Sequence, residues 1–138
     1  MQLKYLQESD WSFAVQLDSH MNERAYMHHV QTGTGCIIWD EDVRIGLLHW
    51  CIFWDHIPFL NFICILPEYR NRGHGSRALN SWETEMREAG FKMVLVSTQA
   101  DEQAQFLYRR QGYVDCGGLV FTGTPFAQPT ELFLRKVL

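Results

Sequence analysis

The residues best equipped for chemistry in this chain are Arg70-Asn71-Arg72-Gly73-His74-Gly75-Ser76-Arg77. An apolar run from Phe59 to Leu66 leads into them and is stopped by Pro67. A helical pattern, Ala78, Leu79, Trp82, Met86 and Ala89, leads out. Two glycines and a small serine at a strand-to-helix joint let backbone N–H groups approach a ligand closely, and a helix N-terminus adds partial positive charge. Three arginines with no acid among them add more. The octet reads as a phosphate cradle. Its basicity is local, because the whole chain carries a formal net charge of -4.

Other reactive side chains form no comparable pattern. His28 and His29 are adjacent and cannot point the same way on a helix, and neither they nor His20 find a Cys or acid to complete a ligand set, so no metal is expected. Cys36, Cys51, Cys64 and Cys116 lie far apart without a C-x-x-C pair, three of them in strand-like apolar runs, and read as buried free thiols. A dinucleotide fingerprint requires G-x-G-x-x-G, but Gly75 is followed by Ser76, Arg77 and Ala78. The P-loop pattern G-x-x-x-x-G-K-[ST] is also absent.

The elements that must position the octet follow from the rest of the pattern. A chain of 138 residues, 46% hydrophobic and 14% aromatic, is long enough to bury a core and is read as one domain, residues 1–138. The acidic balance leaves no extended basic face, so a nucleic-acid partner is not expected. No run approaches the roughly 18 apolar residues of a membrane span, and Met1 to Tyr5 lacks a signal-peptide core, which predicts a soluble, cytoplasmic protein. A short strand over Met1–Leu6 is followed by a helix capped at Ser9-Asp10 and a second from near Asn22 to Val30, stopping at Gly33. Cys36–Trp39, a turn at Asp40–Asp42, and Val43–Trp54 form a hairpin pattern. Phe59–Leu66 is apolar enough for a strand buried on both faces. Phe91–Thr98 is a further strand, Asp101–Gln111 a short helix, and Tyr113–Thr122 and Thr130–Val137 the last strands. The order β-α-α-β-β-β-α-β-α-β-β predicts an α/β fold with a mixed sheet of six to seven strands and about four helices.

Two segments then resemble a known family. Ile65-Leu66-Pro67-Glu68-Tyr69-Arg70-Asn71-Arg72-Gly73-His74-Gly75 is similar to the acyl-CoA signature R/Q-x-x-G-x-G/A of the GCN5-related N-acetyltransferases (GNAT), which follows a strand reading V-x-P-x-x-R. Asp101, Ala104, Leu107, Tyr108, Gly112 and Tyr113 are similar to the family's N-x-x-A-x-x-L-Y-x-K-x-G-F helix. The resemblance covers about residues 43 to 122. Asp101 stands where the family has Asn, as a helix cap; Arg110-Gln111 replaces the usual Lys; and His74 stands between the glycines where a small apolar residue is usual, with its side chain expected toward solvent.

The resemblance implies an acetyl-CoA-dependent N-acetyltransferase acting on a primary amine of a small molecule or peptide. The alternative it leaves is a catalytically silent acyl-CoA-binding regulatory module. By resemblance, the CoA pyrophosphate would lie on the N–H groups of Arg72, Gly73, His74, Gly75 and Ser76, with Arg70 and Arg72 near the phosphates. The backbone N–H of Ile65 would donate to the thioester oxygen as an oxyanion donor. Tyr108 would hydrogen-bond or protonate the leaving thiolate. A thiol titrates near ~8.5 and a phenol near ~10, so full proton transfer is uphill by about 2 kcal/mol, which makes Tyr108 a donor that steadies the sulfur. Its alternative role is a core tyrosine packing the helix on the sheet. Asp55 and His56, just before the acetyl-CoA strand, are the candidate general bases, with Asp55 equally suited to a turn. Met21, Tyr26 and Met27 pack the first helices on the sheet, and in this family that region walls the acceptor site. Edge strands on an acidic chain leave a homodimer open.

Overall fold

The computed structural model describes residues 1–138. It contains seven strands, β1 Gln2–Tyr5, β2 Gly35–Asp40, β3 Val43–Phe53, β4 Ile57–Ile65, β5 Met93–Gln99, β6 Val114–Leu119 and β7 Glu131–Val137. Four α-helices accompany them, α1 Trp11–Leu17, α2 Glu23–Thr32, α3 His74–Glu88 and α4 Ala104–Arg110, with 3-10 turns at Glu8–Asp10 and Pro67–Tyr69. The element order is the one expected, and the sheet is mixed: β4 and β5 are parallel, the other registered pairs antiparallel. No helix is long and apolar enough to cross a membrane. The backbone forms two units, Met1–Cys51 with Asn61–Glu85, and Ile52–Leu60 with Met86–Leu138.

In the first unit β1, β2 and β3 run antiparallel, with Leu3 opposite Ile38 and Ile37 opposite Leu47. The C-terminal half of β4 lies beside β3, where the Leu66 N–H donates to the Ile45 carbonyl at 2.8 Å. Gly46 is required there, since a Cβ would come within 2.4 Å of the Cys64 carbonyl oxygen. Side chains alternate across these strands. One face carries Ile37 and Leu47 into a cluster with Leu6, Ala14, Met21 and Tyr26, against which Trp11, Phe13, Leu17, Met27 and Phe62 pack. On the other face Trp82 of α3 is wholly buried, its ring 6.1 Å from that of Trp50.

Local chemistry sets the helix ends. The Asn22 side chain accepts from the Ala25 N–H at 2.8 Å, and α2 ends at Gly33, as its sequence predicts. Asp10 behaves differently from the expected α1 cap: its carboxylate accepts from the Gln7 N–H at 3.0 Å and closes the preceding 3-10 turn.

In the second unit β5 pairs with β4 at Phe59–Leu95 and Leu60–Val96, and with β7 along its whole length, from Met93–Val137 to Gln99–Glu131. β7 also pairs with β6, so the last strand in sequence is inserted and the order is β4-β5-β7-β6. The expected helix over Asp101–Gln111 starts only at Ala104, and Asp101 is not its cap. A turn held by the Gln105 side chain, which donates to the Ala100 and Glu102 carbonyls at 2.8 and 3.1 Å, takes up the first residues.

Two burial expectations change. Only Cys36 is a buried thiol, raised to about 12 by desolvation, whereas Cys64 is half-buried and Cys51 and Cys116 are exposed. β4 is not buried on both faces throughout: Pro58, Leu60 and Ile65 are buried, but Asn61 is exposed and Phe62, Ile63 and Cys64 are half-buried. An apolar run reports what a strand can bury, and only its neighbours decide how much it does.

Candidate active site

The turn that leaves β4 presents backbone donors at the start of a helix. Pro67–Tyr69 forms a 3-10 turn, and then Asn71 and Gly73 take left-handed conformations with φ of 61° and 80°. The chain enters α3 at His74, and the first intrahelical bond runs from the Arg77 N–H to the Gly73 carbonyl at 3.1 Å. The N–H groups ahead of Arg77, on His74, Gly75 and Ser76, are therefore the orphan donors of a helix N-terminus, where the macrodipole also favours negative charge. These are residues the sequence nominated. The cradle fits a pyrophosphate in donor type and in the smallness of its glycines.

Gly73 is specifically demanded. Its left-handed φ strains any L side chain, and a Cβ would lie 2.9 Å from a guanidinium nitrogen of Arg77. Gly73→Ala is expected to lower stability by about 1–2 kcal/mol and to loosen the turn, read as a lower denaturant midpoint with weaker acetyl-CoA binding. An unchanged midpoint and affinity would contradict the role given to Gly73.

The side chains around the turn hold it from behind. His74 is not turned to solvent as expected: it is buried, 6% exposed, with its ring edge-on to Tyr69. Arg77 donates to His74 Nδ1 at 2.9 Å and to the Arg72 carbonyl at 3.1 Å, and His74 Nε2 lies 3.7 Å from the Asp40 carboxylate. This network pins both ends of the glycine turn. Arg70 folds back on the strand, its Nε donating to the Ile65 carbonyl at 2.7 Å. Arg72 is exposed, with its guanidinium 5.7 Å above the Tyr69 ring. The structure thus brings Ile65 and Arg70 together, and groups Arg72, Gly73, His74, Gly75 and Ser76 at one helix end. In the sequence Arg77 had only a share in the octet's positive charge and Asp40 only a turn, not this contact with His74. Arg77 stands in the octet three residues after His74, a spacing that places both on one helix face.

Tyr108 lies in the second unit, buried on α4, its ring 5.7 Å from that of Tyr113. Burial, then the charges of Glu102 and Glu131, push its phenol up to about 12. It therefore keeps its proton and is available as a hydrogen-bond donor. Against a thiol near ~8.5, proton transfer from it is uphill by about 5 kcal/mol, more than the ordinary phenol value suggests.

Asp55 and His56, the candidate bases, stand in a tight turn. Trp54 and Asp55 have φ of 54° and 63°, and the His56 N–H donates to the Phe53 carbonyl at 3.1 Å, which makes them the tip of the β3–β4 hairpin. Both are exposed. His56 borders a surface cavity of about 440 Å³ with Gly90, Phe91 and Met93. The turn role is the one the structure bears out for Asp55.

A buried ionisable pair that the sequence did not signal lies in the first unit. His49 Nε2 on β3 is 2.9 Å from Asp18 Oδ2 at the end of α1. The two are separated by 31 residues and lie in elements with no shared motif.

Known proteins share this fold and part of its sequence. Residues 2–113 match the model of the acetyltransferase (GNAT) family. No curated protein matches the sequence. Among solved structures, a ribosomal-protein-alanine N-acetyltransferase from Brucella melitensis is similar at a TM-score of 0.80 and 20% identity, with 100% of each chain covered. Arabidopsis thaliana Naa50, in complex with the bisubstrate analogue CoA-Ac-MVNAL, superposes at 0.84 with 13% identity, covering 99% of this chain and 98% of that one. A GNAT family acetyltransferase from Elizabethkingia anophelis with acetyl-CoA bound gives 0.79 and 12%, covering 99% and 97%. At these identities the structures speak for the fold, whereas the sequence model spans most of the chain, from β1 through the residue after Gly112. On that match, with the glycine turn standing where the fold enters α3, this chain belongs to the GNAT acetyltransferase family.

Proposed function

We propose that this protein is an N-acetyltransferase that moves the acetyl group of acetyl-CoA to a primary amine of a small molecule or peptide by direct attack. The observation that carries the reading is the set of orphan N–H groups on His74, Gly75 and Ser76 behind a left-handed Gly73. The pyrophosphate is bound there, with Arg72 as the flexible cation beside it. The N–H of Ile65 is assigned to the thioester oxygen, where negative charge develops as the carbonyl becomes tetrahedral. The amine nitrogen forms the new bond to the acetyl carbon and loses one proton, which ends in solvent, while the carbon–sulfur bond breaks and the thiolate leaves. Tyr108 steadies that sulfur with a hydrogen bond, and solvent supplies the proton that completes the thiol.

A peptide amine is the acceptor class with the most support. Ribosomal-protein-alanine N-acetyltransferases and Naa50 bound to a CoA-peptide analogue are among the structures that share this fold over nearly their whole length. The test is thiol release from acetyl-CoA with a panel of amines: peptides with free N-terminal Ala or Met, spermidine, an aminoglycoside and a simple alkylamine. Acetylation of at least one, with the peptides foremost, is the expected result. Tight acetyl-CoA binding by calorimetry with no turnover on any of them would identify a silent binding module instead.

A further inference from the structure

The α1/α2-facing side of β3 changes character within three alternate residues: Leu47 is wholly buried, His49 is 7% exposed, and Cys51 is exposed. His49 therefore sits where the packed core gives way to an open surface. Beside it on β4, Phe62 stacks on the imidazole at 5.5 Å, and the exposed Asn61 receives the Cys51 thiol at 3.3 Å. On the other side the His29 ring of α2 lies 4.6 Å away.

The hydrogen bonds specify the state of His49. Asp18 Oδ2 takes Nε2 at 2.9 Å, while Asp18 Oδ1 accepts from the His20 N–H at 3.2 Å, so the carboxylate is held from two sides. An ionised carboxylate only accepts, which puts the imidazole proton on Nε2 and leaves Nδ1 a lone pair. Nδ1 is buried and meets no hydrogen-bond partner. Buried polar atoms are ordinarily paired, and His49 Nδ1 and Trp82 Nε1 are the two side-chain exceptions here; of these only the imidazole nitrogen carries a lone pair that can take a proton. A carboxylate on one ring nitrogen and a lone pair on the other is the arrangement of an oriented base.

We propose that His49 is the general base of the transfer and that Asp18 is the residue that positions it. The assignment rests on the acetyltransferase reading and fills the place that Asp55 and His56 do not. His49 Nδ1, enclosed in the free protein beside the exposed Cys51 and Asn61, takes one proton from the acceptor nitrogen through one water admitted with the amine, as that nitrogen bonds to the acetyl carbon. The carbon–sulfur electrons leave with the thiolate. The imidazolium, stabilised by Asp18, then returns its proton to solvent. His29 Nδ1 meets Thr34 Oγ1 at 2.8 Å, and Thr34 meets the Thr32 hydroxyl at 2.7 Å, a hydrogen-bonded row beside the imidazole that reaches exposed residues.

The charge environment suits a base that is neutral at pH 7. Burial lowers the His49 pKa, with Asp18 acting in the opposite direction. Burial, then His49 and His28, lower that of His29 to about 4. The ionisable groups facing the site are thus Asp18 from α1, His28 and His29 from α2, and the Cys51 thiol on β3 itself, while β4 contributes Phe62 and Asn61.

The test uses the amine of the panel above with the highest turnover. His49→Gln is expected to lower kcat about a hundredfold while acetyl-CoA affinity stays within about twofold. In the wild type, kcat falls as pH drops through the His49 pKa, below about 6.5, because a protonated base cannot accept. That acidic limb disappears in His49→Gln. In Asp18→Asn it moves to lower pH, since the carboxylate no longer stabilises the imidazolium. In His49→Ala, added imidazole restores part of kcat. Independently of any acceptor, long-range proton–nitrogen spectra of the wild type at pH 7.5 should show His49 neutral and protonated on Nε2, an assignment that survives if a variant fails to fold. An Nδ1–H tautomer, or His49→Gln with an unchanged kcat and acidic limb, would overturn the assignment and leave the acetyltransferase reading standing. A wild type that acetylates no amine would remove both.

Discussion

Gly75→Glu loses acetyl-CoA binding while keeping its fold. Gly75 is the second residue of α3, half-buried, with its N–H among the orphan donors of the helix start. A carboxylate at that position is itself favourable to a helix N-terminus, so the free protein should unfold no earlier than the wild type. The same carboxylate competes for the donors that the pyrophosphate needs and stands within a few ångströms of its charge. Two like charges ~4 Å apart at an effective dielectric of about 20 repel by about 4 kcal/mol, close to three decades in Kd. Gly75→Ala adds bulk without charge and should lose much less. Calorimetric titration with acetyl-CoA, beside thermal melting of both variants, separates these effects. A Kd for Gly75→Glu within threefold of wild type would remove the pyrophosphate from this turn.

Tyr108→Phe is the second large effect, and it should fall on turnover. The residue is buried and its phenol is pushed up to about 12, so at working pH it is a fixed donor. A hydrogen bond to an ionised partner contributes about 1.5–3 kcal/mol, so removing it from the departing thiolate should cost about ten- to a hundredfold in kcat. Acetyl-CoA affinity should stay within about twofold, because the intact thioester carries little charge on sulfur. The raised pKa also has a sign: Tyr108 should add no limb to the pH profile below about pH 10, and a residue that truly cycled its proton would add one. An unchanged kcat would reduce Tyr108 to a packing residue against Tyr113.

Much of the glycine turn was legible in the sequence because it is local. Two glycines, a proline and a helix pattern within a dozen residues dictate which backbone groups a turn presents, whatever surrounds it. The same holds for α2, where Asn22 and Gly33 mark both ends. Side-chain destinations were less legible. His74 was expected in solvent, and its burial depends on Asp40 at the end of β2 and on Arg77 one helical turn further along. Asp55 and His56 carry the right groups for a base, yet the hairpin register places them at an exposed tip.

The amino-acid sequence by itself determined the element order, the glycine turn and the family, because hydrophobic period, caps and turn residues act over a few positions. Only the tertiary structure decided that β7 lies between β5 and β6 and that Asp18 meets His49 across 31 residues. The physical reason is range. A cap or a turn is satisfied by neighbours in the chain, whereas a buried proton acceptor acquires its partner, and with it its chemistry, only once helices are packed on strands whose register has been set.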